Sequence, residues 1–350
     1  MCKPKIAILF GGHSSEYDIS LQSAYSVIKH INKEKYEPIL LGITRSGKWH
    51  VFSGEIEKIS NDTWDNPGDC TRAIISPDRE TKGILIFTRD KVQNITLDAA
   101  MPVLHGKNGE DGTVQGLLQL AGIPIIGCNT LSSALCMDKD KAHKIVNSVG
   151  IRTPNSFTLR CKAETKSALL QAENIGYPLF VKPVNAGSSL GITKVACPSE
   201  LPMSIKTAFE YDNMVIVEEA ISGFEVGCAI LGDVNLTVGQ VSEVELSGGF
   251  FDYKEKYAPE TSAIHIPARI PTNKADEVKE TAKTIYRALN CSGFARVDMF
   301  LTANNEIVFN EVNTIPGFAA HSRYPKMLKA VGMTFEQVID RIIKQGIASP

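Results

Sequence analysis

The hydrophobic pattern opens with a continuous apolar run, Ile6–Phe10, that suits a buried strand and ends at Gly11-Gly12. Beyond the turn, Ala24, Val27, Ile28 and Ile31 fall at i, i+3, i+4 and i+7, the spacing of one helical face. Strand-like runs recur at Pro38–Ile43, Ile84–Phe87 and Met101–Leu104, and Val114–Leu120 reads as a helix. Strands interleaved with helices predict an α/β layer with a mostly parallel sheet, ending near Gly127.

A second region starts with a helical stretch, Ser132–Val149, which carries Asp138 and Lys139 and is interrupted by Thr153-Pro154. A strand (Ser156–Leu159), a helix (Ala163–Asn174), a strand (Leu179–Lys182), a loop (Asn185–Gly191), a helix (Leu201–Tyr211) and a strand (Met214–Glu218) follow. From Ser222 strands dominate, before a helix at Asn273–Leu289, a hairpin and a last helix near Thr334–Gln345. The expected division is an N-terminal α/β domain over residues 1–128, a small α+β domain over 129–220 and a C-terminal domain over 221–350.

The hairpin organises the rest. Val297–Leu301 and Ile307–Phe309 read as adjacent strands joined by the polar Thr302–Glu306 connection. Pairing would bring Asp298 beside Glu311 and Asn313, which are two apart and share a face. Two carboxylates and an amide oxygen form a hard donor set that suits Mg²⁺; the plainer reading is a charged hairpin with polar edges.

Composition narrows the class. Hydrophobic residues make up 43% and charged residues 22% of 350, and 37 basic against 39 acidic residues leave a net charge of −2. That balance gives no field for nucleic acid or an anionic membrane. The eight cysteines are scattered singly without a CxxC pair, which favours a reduced, cytoplasmic chain over a disulfide framework or zinc site. The first apolar run is too short for a signal peptide, and none approaches the roughly 20 residues of a membrane span.

Other stretches carry chemistry. Lys182, at a strand end, precedes the small-residue loop Asn185–Gly191; such a loop is either a flexible connection or a cradle of backbone N–H groups for phosphate, and the lysine favours phosphate. The sequence lacks the GxxxxGK[ST] of a P-loop. Glu218, Glu219 and Glu225 stand at or beyond a strand end, where carboxylates either accept bonds from adenine and ribose or are simply solvated. His105-Gly106-Lys107-Asn108-Gly109-Glu110-Asp111-Gly112 lies between a strand and a helix, as a polar turn or as part of a site. Phe10–Glu16 ends the first strand, where open α/β sheets bind ligands. Gly248–Tyr257 is a surface loop or a lid that excludes water.

Taken in order, FGGHSSEYDIS, HGKNGEDG, MDK, VKPVNAGSSLGITKV, EEAISGFEVG, FDYKEKY, ARVD and NEVNTIPGF resemble the D-alanine–D-alanine ligase family of the ATP-grasp superfamily, over nearly the whole chain. The resemblance implies an ATP-grasp fold preceded by an α/β N-terminal domain, a cytoplasmic homodimer, and ATP-dependent joining of D-alanine to a second substrate through a D-alanyl phosphate. It implies that Glu16 binds the ammonium of the first D-alanine, helped by Ser188 and the lid Tyr257, with His105 and Glu110 lining the same subsite. Lys139, Lys182 and the lid Lys256 would hold ATP phosphates under the Gly187–Gly191 loop, which includes Ser189. Glu218 and Glu225 would hold adenine and ribose. Asp298, Glu311 and Asn313 would bind two Mg²⁺, with Mn²⁺ also able to take such oxygen sites. Arg296 and the Gly317 N–H would form the oxyanion site, and Ser322 and Arg323 would face the second substrate's carboxylate.

Two departures bear on specificity. Ala186 stands where many relatives carry a glutamate, and GFAAHSRYP places Arg323 where many housekeeping enzymes have an apolar residue, as in vancomycin-resistance ligases. Lys256-Tyr257 replaces the histidine-bearing lid of D-lactate ligases, so the chain looks most like the D-alanine–D-serine ligases. Glu243 and Asp252 are candidates for bonding the serine hydroxyl. The alternatives are a housekeeping D-alanine–D-alanine ligase, another ATP-grasp enzyme or an inactive nucleotide-binding module; the intact Arg296, Asp298, Glu311 and Asn313 argue against the last.

Overall fold

The structure is a computed structural model that describes residues 2–161, 165–187, 190–246 and 262–348. Ser188, Ser189, Asp252, Lys256 and Tyr257, and the whole GGFFDYKEKY run, lie outside the described residues.

The N-terminal layer comprises β1 (Lys5–Gly11), α1 (Tyr17–His30), β2 (Glu37–Ile43), β3 (Trp49–Phe52), α2 (Glu57–Ser60), β4 (Cys70–Ile75), β5 (Gly83–Phe87), β6 (Val92–Thr96), β7 (Ala99–Pro102) and α3 (Thr113–Leu120). Its sheet has the order β6-β5-β4-β3-β2-β1-β7. β1 pairs in parallel with β2 and β7, and β3 to β6 extend the sheet as an antiparallel meander. β1 reads as unbroken apolar sequence because both its faces are covered. Ile6, Ile8 and Phe10 pack with α1, while Ala7 and Leu9 pack with Val114 and Leu118 of α3. The α1 helix buries the expected stripe of Ala24, Val27 and Ile28.

The middle region runs α4 (Thr130–Met137), α5 (Lys139–Ser148), β8 (Ser156–Leu159), α6 (Thr165–Ile175), β9 (Leu179–Pro183), β10 (Thr193–Val195), α7 (Leu201–Ala208) and β11 (Val215–Glu219). Its antiparallel sheet has the order β10-β9-β11-β8. The stretch expected as one helix over 132–149 is two helices. Asp138 leaves helical geometry (φ −81°, ψ 100°) and its side chain accepts from the Lys141 N–H, so it caps α5 and puts Lys139 at its first position. Cys136, Ala142 and Val146 pack in the core of the third sheet rather than with the four-stranded one.

The last region contains β12 (Gly223–Leu231), β13 (Thr237–Val238), β14 (Ser242–Leu246), β15 (Ser262–His265), α8 (Thr272–Ala288), β16 (Phe294–Thr302), β17 (Ile307–Asn313), α9 (Arg323–Lys329) and α10 (Phe335–Ala348). The antiparallel order is β15-β14-β12-β16-β17, with β13 beside β12. Helix α10 crosses back to the first layer, where Val338, Ile339, Ile342 and Ile343 join the core of α1 and β1. Its Asp340 accepts from Lys35 Nζ and the Tyr36 hydroxyl, both at 3.1 Å. No helix among the described residues is long and apolar enough to cross a membrane.

Candidate active site

The β16–β17 pair places Asp298 directly opposite Glu311 and Arg296 opposite Asn313, and the register shifts just after Asp298. Period-two geometry therefore sets these four side chains together where the end of β17 runs beside β16. Asp298 is 1% exposed, and its carboxylate accepts from two arginines and an amide. Arg296 Nε donates to both oxygens at 3.0 and 2.9 Å, Asn313 Nδ2 donates at 2.9 Å, and Arg323 Nη2 approaches at 3.3 Å. Burial works against the Arg296 charge, but Asp298, Glu225 and Glu311 hold it above its ordinary range, so it stays a guanidinium.

Arg323 reaches the same cluster from the first position of α9. Its Nη1 bonds Glu225 at 2.7 Å and its Nη2 bonds Ser242 Oγ at 3.1 Å. Glu225 is thus paired with the arginine expected to hold the second substrate. The approach depends on Gly227: a Cβ there would lie 2.6 Å from both Arg323 Nη2 and Asp298 Oδ1. Among the described residues the buried Arg323 Nε has no partner, which leaves a donor for an anion.

Across the antiparallel β9–β11 pair, Lys182 and Glu218 form a buried ion pair. The second oxygen of Glu218 has no partner among the described residues. Lys139 Nζ donates to the Ala186 carbonyl at 2.6 Å, at the foot of the glycine–serine loop. His143, one turn along α5, joins this group: burial lowers its pKa, while Glu218 pulls it up and Lys182 and Lys139 push it down. The rows of a helix put residues 139 and 143 on one side, a signal legible in the sequence.

The N-terminal layer contributes a carboxylate pair. Glu16 sits at the start of α1 and is 5% exposed. A Cβ at Gly106 (φ +71°) would lie 2.2 Å from Glu16 Oε2, and one at Gly187 would lie 2.9 Å from it, so both loops close on this carboxylate only as glycines. Gly191 takes φ +69° against Tyr211. Glu110 accepts from the Gly106 N–H at 2.7 Å and from the Ile315 N–H at 3.1 Å. Burial and the neighbouring Glu16 push its pKa up to about 8. Burial pushes His105 down to about 4, leaving a neutral imidazole that meets Ser23 Oγ at 3.0 Å. Gly317 lies beneath Ser322, whose hydroxyl would be 3.2 Å from a Cβ there.

Two family models match this architecture: "D-ala D-ala ligase N-terminus" over residues 5–128 and "D-ala D-ala ligase C-terminus" over residues 145–344. The chain belongs to the D-alanine–D-alanine ligase family. The VanG D-Ala:D-Ser ligase from Enterococcus faecalis superposes on this ligase with a TM-score of 0.92 and 54% identity, covering 98% of this chain and 99% of that one. A putative D-alanine–D-lactate ligase from Streptomyces coelicolor is 44% identical over 98% of this chain and 97% of its own length. A D-alanine–D-alanine ligase from Caldicellulosiruptor bescii is 42% identical over 99% and 96%.

The fold of this ligase brings the residues singled out by sequence into three adjoining groups. These are Glu16, His105 and Glu110 with Gly187; Lys139, Lys182 and Glu218; and Glu225, Arg296, Asp298, Glu311, Asn313 and Arg323. Glu243, a candidate for the serine hydroxyl, is instead closed off by Arg269, whose N, Nε and Nη2 donate at 2.8, 3.1 and 2.5 Å. Sequence reading missed Ser23, His143, Gly227 and Ser242. A hydroxyl on the apolar stripe of α1 was the available sign for Ser23.

The donor set fits divalent ions and a nucleotide. Asp298, Glu311 and Asn313 are hard oxygen donors on neighbouring positions, and the partnerless Glu218 oxygen is suited to an amino or hydroxyl donor. A cavity of about 970 Å³ between the first and third regions, lined in part by Arg79, Asn129 and Asp233, contains none of these residues.

Proposed function

We propose that this ligase joins D-alanine to D-serine using ATP, with a housekeeping D-alanine–D-alanine ligase as the alternative that the test below separates. The observation that carries the ligase reading is the close approach of the buried Glu16 and Glu110 carboxylates beside the arginine–carboxylate cluster of β16–β17. The preference for D-serine rests on Arg323 with its spare donor and on the 54% identity to a D-Ala:D-Ser ligase.

Glu16 takes the ammonium of the first D-alanine, with Glu110 and His105 behind it and Ser188 and Tyr257 completing the subsite. Lys139, Lys182 and Lys256, with the Gly187, Ser189 and Gly191 loop, bind the ATP phosphates. Glu218 and Glu225 take adenine and ribose between the central (129–220) and C-terminal (221–350) domains. Asp298, Glu311 and Asn313 hold two Mg²⁺ or Mn²⁺, which supply charge neutralisation for phosphoryl transfer. A D-alanine carboxylate oxygen takes the γ-phosphoryl group and ADP departs. The amine of the second substrate, its carboxylate held by Ser322 and Arg323, attacks the acyl carbon. Arg296 and the Gly317 N–H stabilise the oxyanion until phosphate leaves. The dipeptide gives a cell-wall precursor with an altered terminus, the basis of a role in glycopeptide resistance. Reaction in the cytoplasm and dimerisation through the N-terminal layer complete the reading.

The test follows ATP-dependent phosphate release with D-alanine alone and then with D-serine or D-lactate, identifying products by mass. Dominant D-alanyl-D-serine at matched concentrations is the expected result. D-alanyl-D-alanine alone makes this a housekeeping enzyme, and no turnover with any substrate overturns the ligase reading.

A further inference from the structure

We propose that Ser23 is a positioning residue that, with His105 and Glu110, clamps the turn carrying the Gly317 N–H in its oxyanion-binding geometry. The inference rests on the function proposed above and concerns a residue to which that function gives no role.

The turn after β17 is fastened at both ends from the N-terminal layer. At its start, Glu110 Oε1 accepts the Ile315 N–H at 3.1 Å, and Glu110 Oε2 accepts the N–H of Gly106, the residue after His105, at 2.7 Å. At its end, the Phe318 N–H donates to Ser23 Oγ at 3.2 Å, across 295 residues of sequence. Ser23 Oγ in turn meets His105 Nε2 at 3.0 Å, so the end of the turn is tied to the same 105–110 loop whose Glu110 holds its start. Ser23 is 1% exposed and His105 4% exposed, so water is a poor substitute partner.

The Phe318 ring adds an apolar anchor, lying 5.2 Å from Phe294, 5.6 Å from Tyr324 and 5.5 Å from Phe335. Gly317 lies between the two fastened points and has no side chain to fix it. Its N–H direction is therefore set by the flanking peptides, and Ser23 holds one of them. A donor must be placed to within a fraction of an ångström to favour the tetrahedral state over the ground state.

Ser23→Ala removes one oxygen from a helix that alanine favours, so the fold is retained and a melting curve verifies it. Two steps are then measured separately. Acyl phosphate formation is read from exchange of the β–γ bridging oxygen of labelled ATP with D-alanine alone, and ligation is read from dipeptide formation. The expected result is bridge exchange within about twofold of wild type and ligation slowed about tenfold to a hundredfold. A phosphinate dipeptide that mimics the tetrahedral intermediate should weaken by the same factor while ADP affinity is unchanged. Unchanged ligation, or exchange and ligation falling together, overturns the role of Ser23. Absence of dipeptide from the wild-type enzyme overturns the functional reading itself.

Discussion

Binding of D-alanine should expel a proton from Glu110. Burial and the Glu16 carboxylate raise this group to about 8, against an ordinary carboxylate value of about 4.3. At pH 7 about nine-tenths of the unliganded molecules then carry the proton. An ammonium seated beside Glu16 cancels the repulsion and favours the ionised form. Burial persists in the complex, so at most about 0.9 proton should leave per D-alanine bound at pH 7, and at most about 0.1 at pH 9. Calorimetric titrations in buffers of different ionisation enthalpy read this number directly.

Stability follows the same linkage. The folded-state value lies above the unfolded one, so the unliganded fold is the better proton binder. Its stability is lost as pH rises from about 4 to about 8, by about 4 kcal/mol at pH 7. Saturating D-alanine should flatten that slope. Heats independent of buffer at pH 7, or a slope unaltered by D-alanine, would refute the ammonium assignment to this carboxylate pair.

Three further outcomes are expected. Gly227→Ala puts a methyl group 2.6 Å from Asp298 and Arg323, and should lower kcat/KM for ATP by at least about tenfold, with nucleotide binding weakened in a fluorescence titration. Glu218→Gln leaves Lys182 as an unpaired buried ammonium, and should lose about 3 kcal/mol in urea unfolding, part of it restored by ATP. Asp340→Asn cuts a partly exposed tether between α10 and Lys35, and should change stability by less than about 1 kcal/mol in the same assay.

What was legible in the chain was local. The hairpin from Arg296 to Asn313 could be read because its strands are close in sequence and the side-chain period of two fixes which residues share a face. The buried β1 and the stripe of α1 were equally plain. The meander of β3 to β6 was only partly legible, since β6 is mostly exposed and lacks a clear apolar period. The break at Asp138 was hidden because capping residues also occur inside helical runs.

Sequence by itself determined the family, the chemistry-bearing residue types and their order, because local spacing and motif identity are carried along the chain. Tertiary structure alone decided who meets whom. Arg323 pairs with Glu225 across 98 residues, Lys182 with Glu218 across 36, and Ser23 holds Phe318 across 295. Such partners are chosen by how three sheets pack, and burial then sets the charge states, as it does for Glu110 and His105. No local pattern records a desolvation that arises only when distant segments exclude water together.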